Sequence, residues 1–140
     1  MKKVLVGGRF NILHPGHIDF LEKAKSLGDY LVVVIARDST ILKNKNMLLF
    51  PEEDRKRMIE SIRFVDKVVV GFEIGREEDY FDVVEKERPD IIALGPDQKI
   101  SEHILKRKIK ESGMTCEVMR VRKKFKNYST TDILKKINKE

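Results

Sequence analysis

The residues best placed to do chemistry lie in one stretch, Gly8-Arg9-Phe10-Asn11-Ile12-Leu13-His14-Pro15-Gly16-His17. It leaves an apolar run, Lys3–Val6, and enters a segment with helical spacing of Ile18, Leu21, Ala24 and Leu27. Two imidazoles three residues apart, with glycine just before the second, would stand at a helix start. Free backbone N–H groups and the positive end of the helix dipole are found there. Glycine lets an anion approach the backbone closely. Imidazoles in that place can donate hydrogen bonds to phosphate oxygens. Transfer of a phosphorus-centred group needs alignment and stabilisation of negative charge, and little else. The same pair could instead cap or pack the helix. A metal pair fits less well, because no third ligand is close by in the sequence.

The elements that must carry this stretch alternate. Strands are expected at Lys3–Val6, Tyr30–Ala36, Val68–Val70, Ile91–Leu94 and Thr115–Val121. Helices are expected at Gly16–Leu27, from Pro51 through Ile62, at Tyr80–Glu87, Ile104–Ser112 and from Ser129 to about Asn138. Gly28 is expected to end the first helix in a left-handed conformation. Lys43–Leu49 reads as a polar loop. Ser129 and Asp132 have the spacing of a capping box. Strict β-α alternation implies an α/β fold: a Rossmann-like parallel sheet of five strands with helices on both faces. Ligands in such folds bind beyond the carboxyl ends of the strands. That gathers Gly7–His17, Ala36–Leu49, Gly71–Gly75, Gly95–Lys99 and Lys123–Ser129 around one cleft.

Composition sets the outer bounds. A chain of 140 residues, 41% apolar and 37% charged, fits one domain, 1–140, with one core. No apolar run is long enough to span a membrane, and the N-terminus is too short in apolar residues for a secretory signal. The cytoplasm is the expected location. The single cysteine, Cys116, cannot form an internal disulfide and reads as an inert thiol on the fifth strand. A net charge of +6 suits anionic partners. The basic run Arg120, Arg122, Lys123, Lys124, Lys126 reads either as a solvated stretch or as a phosphate-facing loop. Nucleic acid is not expected as a partner, since the interleaved aromatics of common RNA-binding modules are missing. A non-catalytic nucleotide- or RNA-binding protein is the distant alternative.

His14-Pro15-Gly16-His17 resembles the His-x-Gly-His signature of the cytidylyltransferase-like nucleotidyltransferase superfamily. Tyr128-Ser129-Thr130-Thr131 resembles the family's second signature, at the start of a C-terminal helix. The resemblance covers nearly the whole chain. It implies transfer of a nucleoside monophosphate from a triphosphate to a phosphorylated acceptor, with release of pyrophosphate. It also implies catalytic roles for His14, His17, Lys43 and Arg55. Gly8, Arg9, Phe10, Gly16, Gly95, Asp97, Gln98, Tyr128, Ser129, Thr130 and Thr131 would meet the nucleotide. Asn11, Lys45 and Arg63 would meet the acceptor. Lys43 and Lys45 would lie on a loop that closes over substrate. No protein metal site is implied; Mg²⁺ would arrive on the triphosphate. Small members often form dimers.

The chain departs from the family's Gly-Thr-Phe-Asp at Arg9 and Asn11. It also lacks the arginine usual before the second signature, for which Lys123, Lys124 or Lys126 would have to stand in without the guanidinium's fork. Ala36-Arg37-Asp38, Pro51-Glu52-Glu53-x-Arg55 and Leu94-Gly95-Pro96-Asp97-Gln98 look like archaeal FAD synthases, which adenylylate FMN with ATP. Those enzymes often carry a cysteine pair near the C-terminal motif that this chain does not have. Arg63-Phe64-Val65-Asp66 is similar to glycerol-phosphate cytidylyltransferases, which use CTP and are the runner-up. Sugar-phosphate (heptose) adenylyltransferases are a further alternative. Phe50, Phe72, Tyr80 and Phe125 are candidates to line a flavin pocket, though aromatic residues in such positions more often belong to the core.

Overall fold

A computed structural model describes residues 1–43, 48–72, 77–96, 98, 100–121 and 130–138. Five strands, β1 (Lys3–Gly8), β2 (Tyr30–Ala36), β3 (Lys67–Phe72), β4 (Ile91–Leu94) and β5 (Glu117–Arg120), alternate with helices α1 (Pro15–Ser26), α2 (Asp38–Lys43), α3 (Glu52–Glu60), α4 (Glu77–Glu87), α5 (Glu102–Glu111) and α6 (Thr130–Asn138). The strands form one sheet in the order β3-β2-β1-β4-β5, and every pairing is parallel.

Alternation along each strand divides the core in two. Val4, Val6, Leu31, Val33 and Ile35 face Leu21 and Ala24 of α1 and Ile59 of α3. Leu5, Val32, Val34 and Ala36 face Tyr80, Val83 and Val84 of α4 and Leu105 and Ile109 of α5. Helices therefore cover both faces, as the continuous apolar run at Tyr30–Ala36 requires. The expected α/β sheet is present. Helix α2 is an addition: the residues after β2 make a short helix before the segment read as a loop.

The amino-terminal edge of the sheet is finished by three aspartates. Asp29, Asp66 and Asp90 each stand one residue before a strand. Their carboxylates accept the backbone N–H of Lys2, Leu31 and Lys3, each at 2.8 Å. Their own N–H groups donate back to the carbonyls of the same residues. Asp66 is also paired with Lys25. Burial pushes its pKa up, but the bonds from Lys25 and Leu31 outweigh that and hold it below the ordinary carboxylate value. Glu87, buried at the end of α4, accepts from Lys67 at 3.0 and 3.2 Å.

Gly28 does not have the left-handed backbone expected of it; among described glycines, only Gly71 and Gly113 have positive φ. Gly113, with φ +76°, is the one that follows a helix end, after α5. Gly28 is required for space instead. A Cβ there would stand 2.8 Å from the Lys2 carbonyl oxygen and 2.8 Å from Cγ2 of Val4. Backbone and a fully buried valine cannot yield cheaply. Gly28→Ala is expected to cost about 1–3 kcal/mol by overpacking. In thermal unfolding this should appear as a Tm lowered by several degrees; an unchanged Tm would show that the β1–β2 edge relaxes freely.

Candidate active site

The loop from β1 to α1 is shaped by Gly8 and Phe10. Phe10 holds φ at +51°, uncommon for a non-glycine residue, and is 4% exposed. Its ring folds back over Gly8, where a Cβ would come within 2.8 Å of Cε2. The ring also lies 5.1 Å from the His17 ring, tilted by 53°. Phe10 is thus the floor on which His17 rests.

His14 is the N-cap of α1, with Pro15 at the first helical position. His14 Nδ1 accepts the Gly16 N–H at 3.1 Å, and His17 Nδ1 accepts the His14 N–H at 3.2 Å. The rings stack with centroids 3.8 Å apart. This is a capping box written in histidine, in which each side chain satisfies a backbone donor of the first turn. A backbone N–H can only donate, so both Nδ1 atoms carry lone pairs. The rings are neutral, with their protons on Nε2. Their basicity agrees. Burial lowers the His14 pKa. Burial, and then repulsion from His14, lowers that of His17 to about 4. Each ring thus has two different nitrogens: Nδ1 holds the helix start, and Nε2 keeps the proton of a neutral imidazole at the carboxyl end of β1.

Arg55 was expected among the catalytic groups. In the structure its side chain is 0% exposed. Nε donates to Phe50 O at 3.0 Å, Nη1 to Arg9 O at 2.8 Å and to Ala36 O at 2.7 Å, and Nη2 to Asp38 at 2.7 Å. Four of its five N–H groups are committed to the protein. It is a strut under the loop, not a group facing substrate. Deleting it would strand three carbonyls, at about 1–3 kcal/mol for each one left dry.

Arg63 is not brought to the histidines of its own chain. It lies between the end of α3 and the start of β3, at the amino-terminal edge, with its guanidinium 4.8 Å from the centroid of the Phe64 ring. The histidines lie at the opposite edge, a strand length of roughly 20 Å away. Tyr80, a candidate for the acceptor pocket, is 3% exposed and belongs to the core beneath α4. Cys116 falls just before β5 rather than on it. Burial first, and then the charge of Asp90, raises its pKa to about 11, so it stays a thiol.

The structure brings the remaining described candidates together. Arg9 is exposed on the loop, and its carbonyl is pinned by Arg55. Asn11 accepts the Leu49 N–H at 3.0 Å, tying the segment before α3 to the histidine loop. Gln98 crosses from the β4 loop: Oε1 accepts the Gly95 N–H at 2.7 Å, and Nε2 donates to Gly7 O at 2.8 Å. That amide serves the fold and not the edge of a base. Lys45, Asp97, Tyr128 and Ser129 lie outside the described residues, as do the side chains of Lys43, Thr130 and Thr131 and, among the pocket candidates, Phe125 and the side chain of Phe72. Among described residues, no three His, Cys, Asp or Glu side chains converge to hold a metal ion. Sequence reasoning missed Asp38 and Arg120. Asp38 was read only as part of a resemblance, and Arg120 only as one charge in a basic run.

The sequence profile of the cytidylyltransferase-like family matches residues 5–136, the histidine loop included. The chain belongs to the cytidylyltransferase-like family. It is 47% identical over 124 residues to the FAD synthase of Ferroglobus placidus, covering 89% of this chain and 78% of that one. It is 44% identical over 138 residues to the FAD synthase of Pyrococcus abyssi, covering 96% and 91%. A lipopolysaccharide core biosynthesis protein from Thermoplasma volcanium superimposes with a TM-score of 0.79 at 42% identity, over 89% of this chain and 98% of that one. The pantoate-beta-alanine ligase of Francisella tularensis, at 18% identity and a TM-score of 0.60 over 99% of this chain and 70% of that one, shares the fold alone. The resemblance to cytidylyltransferase-like nucleotidyltransferases, carried by two short motifs, and to archaeal FAD synthases, carried by three further stretches, thus extends over most of the chain.

Two outcomes follow for this cytidylyltransferase-like site. Serine is a good N-cap, so His14→Ser should keep α1 anchored, whereas His14→Ala should cost about 1 kcal/mol. Both remove Nε2–H and should lower turnover by about 10² or more. Equal loss of stability in the two variants, or wild-type turnover in either, would contradict the double role.

The second concerns pH. Unfolded His17 takes up its proton near the ordinary histidine value, and folded His17 only near 4. Between these the unfolded chain binds more protons, so this residue's contribution to stability is whole above about pH 6.5 and is lost as pH falls toward 4. His17→Gln, which can still close the capping box, should flatten that part of the profile in denaturant titrations at pH 7.5 and 5.

Proposed function

We propose that the chain, acting as one nucleotidyltransferase domain over residues 1–140, transfers AMP from ATP to FMN, giving FAD and pyrophosphate. The observation that carries the chemistry is the pair of stacked imidazoles at the start of α1, beyond the carboxyl end of β1, whose Nδ1 atoms each accept a backbone N–H and so leave the proton on Nε2. The acceptor and the nucleotide rest on the identity with the FAD synthases of Ferroglobus placidus and Pyrococcus abyssi.

In this reading an oxygen of the FMN phosphate attacks the α-phosphorus of ATP. A new P–O bond forms, the bond from the α-phosphorus to the bridging oxygen breaks, and pyrophosphate leaves with that oxygen. His14 and His17 donate from Nε2 to oxygens whose charge grows in the transition state. The exposed guanidinium of Arg9 adds a cation at the same loop, and the N-terminus of α1 adds its dipole. Mg²⁺ carried on the triphosphate would neutralise phosphate charge; with no carboxylate cluster among the described residues, phosphates and water would supply most of its ligands. Lys43 and Lys45 would complete the clamp. No helix among the described residues is long and apolar enough to cross a membrane, which is consistent with a cytoplasmic enzyme.

A second reading keeps ATP but takes a sugar phosphate as acceptor. It is favoured by the 42% identity to the protein named for lipopolysaccharide core biosynthesis. A substrate panel separates the two. Purified protein with Mg²⁺ and ATP should convert FMN to FAD, resolved by chromatography, with CTP much poorer. Faster reaction of ATP with a sugar phosphate would establish the second reading. Faster reaction of CTP with glycerol 3-phosphate would make the chain a cytidylyltransferase.

A further inference from the structure

The sheet parts at its carboxyl end. β1 stays paired with β2 as far as Gly8–Ile35, yet it pairs with β4 only at Val4–Ile91 and Leu5–Ile92. β4 stays with β5 as far as Leu94–Arg120. A gap therefore opens between β1 and β4, where the strand order reverses and where ligands of open parallel sheets lie. Among the described residues, a glutamine side chain bridges it. Gln98 takes the Gly95 N–H on its own side and reaches Gly7 O on the other. Arg120, only 15% exposed, holds the same loop from β5. Its Nη1 donates to Gly95 O at 2.7 Å and to Gln98 O at 3.0 Å, its Nη2 to Ile100 O at 3.1 Å, and its Nε to Glu102 at 2.6 Å. The N–H and the C=O of Gly95 are both taken by side chains, which fixes the planes of both its peptide groups.

We propose that Gln98 and Arg120 are positioning residues for the nucleotide, setting the width of the β1–β4 gap and so the distance between the loop that meets the phosphates and the loop that meets the base or ribose. The inference rests on the nucleotidyl-transfer reading above and adds to it which residues set nucleotide affinity without touching the nucleotide. One nucleotide must meet both loops at once. A latch that fixes their separation before binding removes an ordering cost that the ligand would otherwise bear. Arginine suits the outer position because a single planar fork reaches three carbonyls and a carboxylate, which lysine cannot do.

The test is direct binding of Mg-ATP by calorimetry without acceptor, together with steady-state kinetics, well below each variant's Tm. Gln98→Met keeps length and removes both hydrogen bonds. Gln98→Glu sets a carboxylate against the Gly7 carbonyl. Each should weaken ATP binding by about tenfold or more, with kcat and the KM for acceptor changed by less than about threefold. Arg120→Ala should do the same, and Arg120→Lys should not restore it. The double variant Gln98→Met/Arg120→Ala should be little worse than the weaker single, because both residues hold one loop. If Arg120→Ala does not fold, the two Gln98 variants carry the test. Unchanged ATP affinity in Gln98→Met, a fall in kcat at unchanged affinity, or additive losses in the double variant would each overturn the proposal. Wild-type protein that binds neither ATP nor CTP would overturn the nucleotidyl-transfer reading itself; wild-type binding matched by every variant would overturn this inference alone.

Discussion

All five strands point the same way, and the rest of the molecule answers to that polarity. A parallel sheet leaves unmatched N–H groups along its amino edge and unmatched carbonyls along its carboxyl edge, and neither set can be buried unpaired. Acceptors finish the first edge: Asp29, Asp66 and Asp90, each beside the strand start that it caps. Donors finish the second: Arg55 takes carbonyls of Arg9, Ala36 and Phe50, and Arg120 those of Gly95, Gln98 and Ile100. The edge that needs donors is therefore already rich in positive groups. A helix start and two imidazoles at that edge extend a chemistry that the fold demands in any case, and an anionic substrate meets it without a separate basic cleft.

The histidines show how little separates folding from function here. The nitrogen that caps α1 and the nitrogen that carries the proton belong to the same ring, and the first fixes the proton on the second. An imidazolium could not accept from the backbone, so charging either ring would unfasten the loop. Burial lowers the basicity of both rings, with His17 resting on Phe10 and the two imidazoles stacked on each other. Catalysis by hydrogen-bond donation from neutral groups suits such a site, because the donors stay in place while substrate charge changes.

The sheet was legible because apolar runs of strand length recur between helical patterns. Tyr30–Ala36 reads as a strand covered on both faces, and the helical spacing of Ile18, Leu21, Ala24 and Leu27 puts His14 and His17 at a helix start. Arg55, Arg63 and Gln98 were harder. Each is polar and close in sequence to the site, but direction is a tertiary property. Arg55 turns inward because three carbonyls require it. Arg63 stands at the far end because α3 and the turn after it carry the chain back to the amino-terminal edge, where β3 begins. Gln98 is spent on the gap between β1 and β4. Arg120 looked like one more surface charge until β5 was seen to end beside the β4 loop. Gly28 carried the right residue for the wrong reason, since helix-end glycines and close-packed glycines look alike in sequence. The aspartate before β2, β3 and β4 was readable and went unread.

Gly8 and Phe10 have a consequence for anyone who would redesign the pocket. The ring of one fills the volume that a side chain on the other would need, and the left-handed backbone that puts it there also supports His17. The two positions are one unit of choice. A library that randomises position 8 alone meets the ring of Phe10, so a larger group at position 8 calls for a smaller one at position 10 in the same clone.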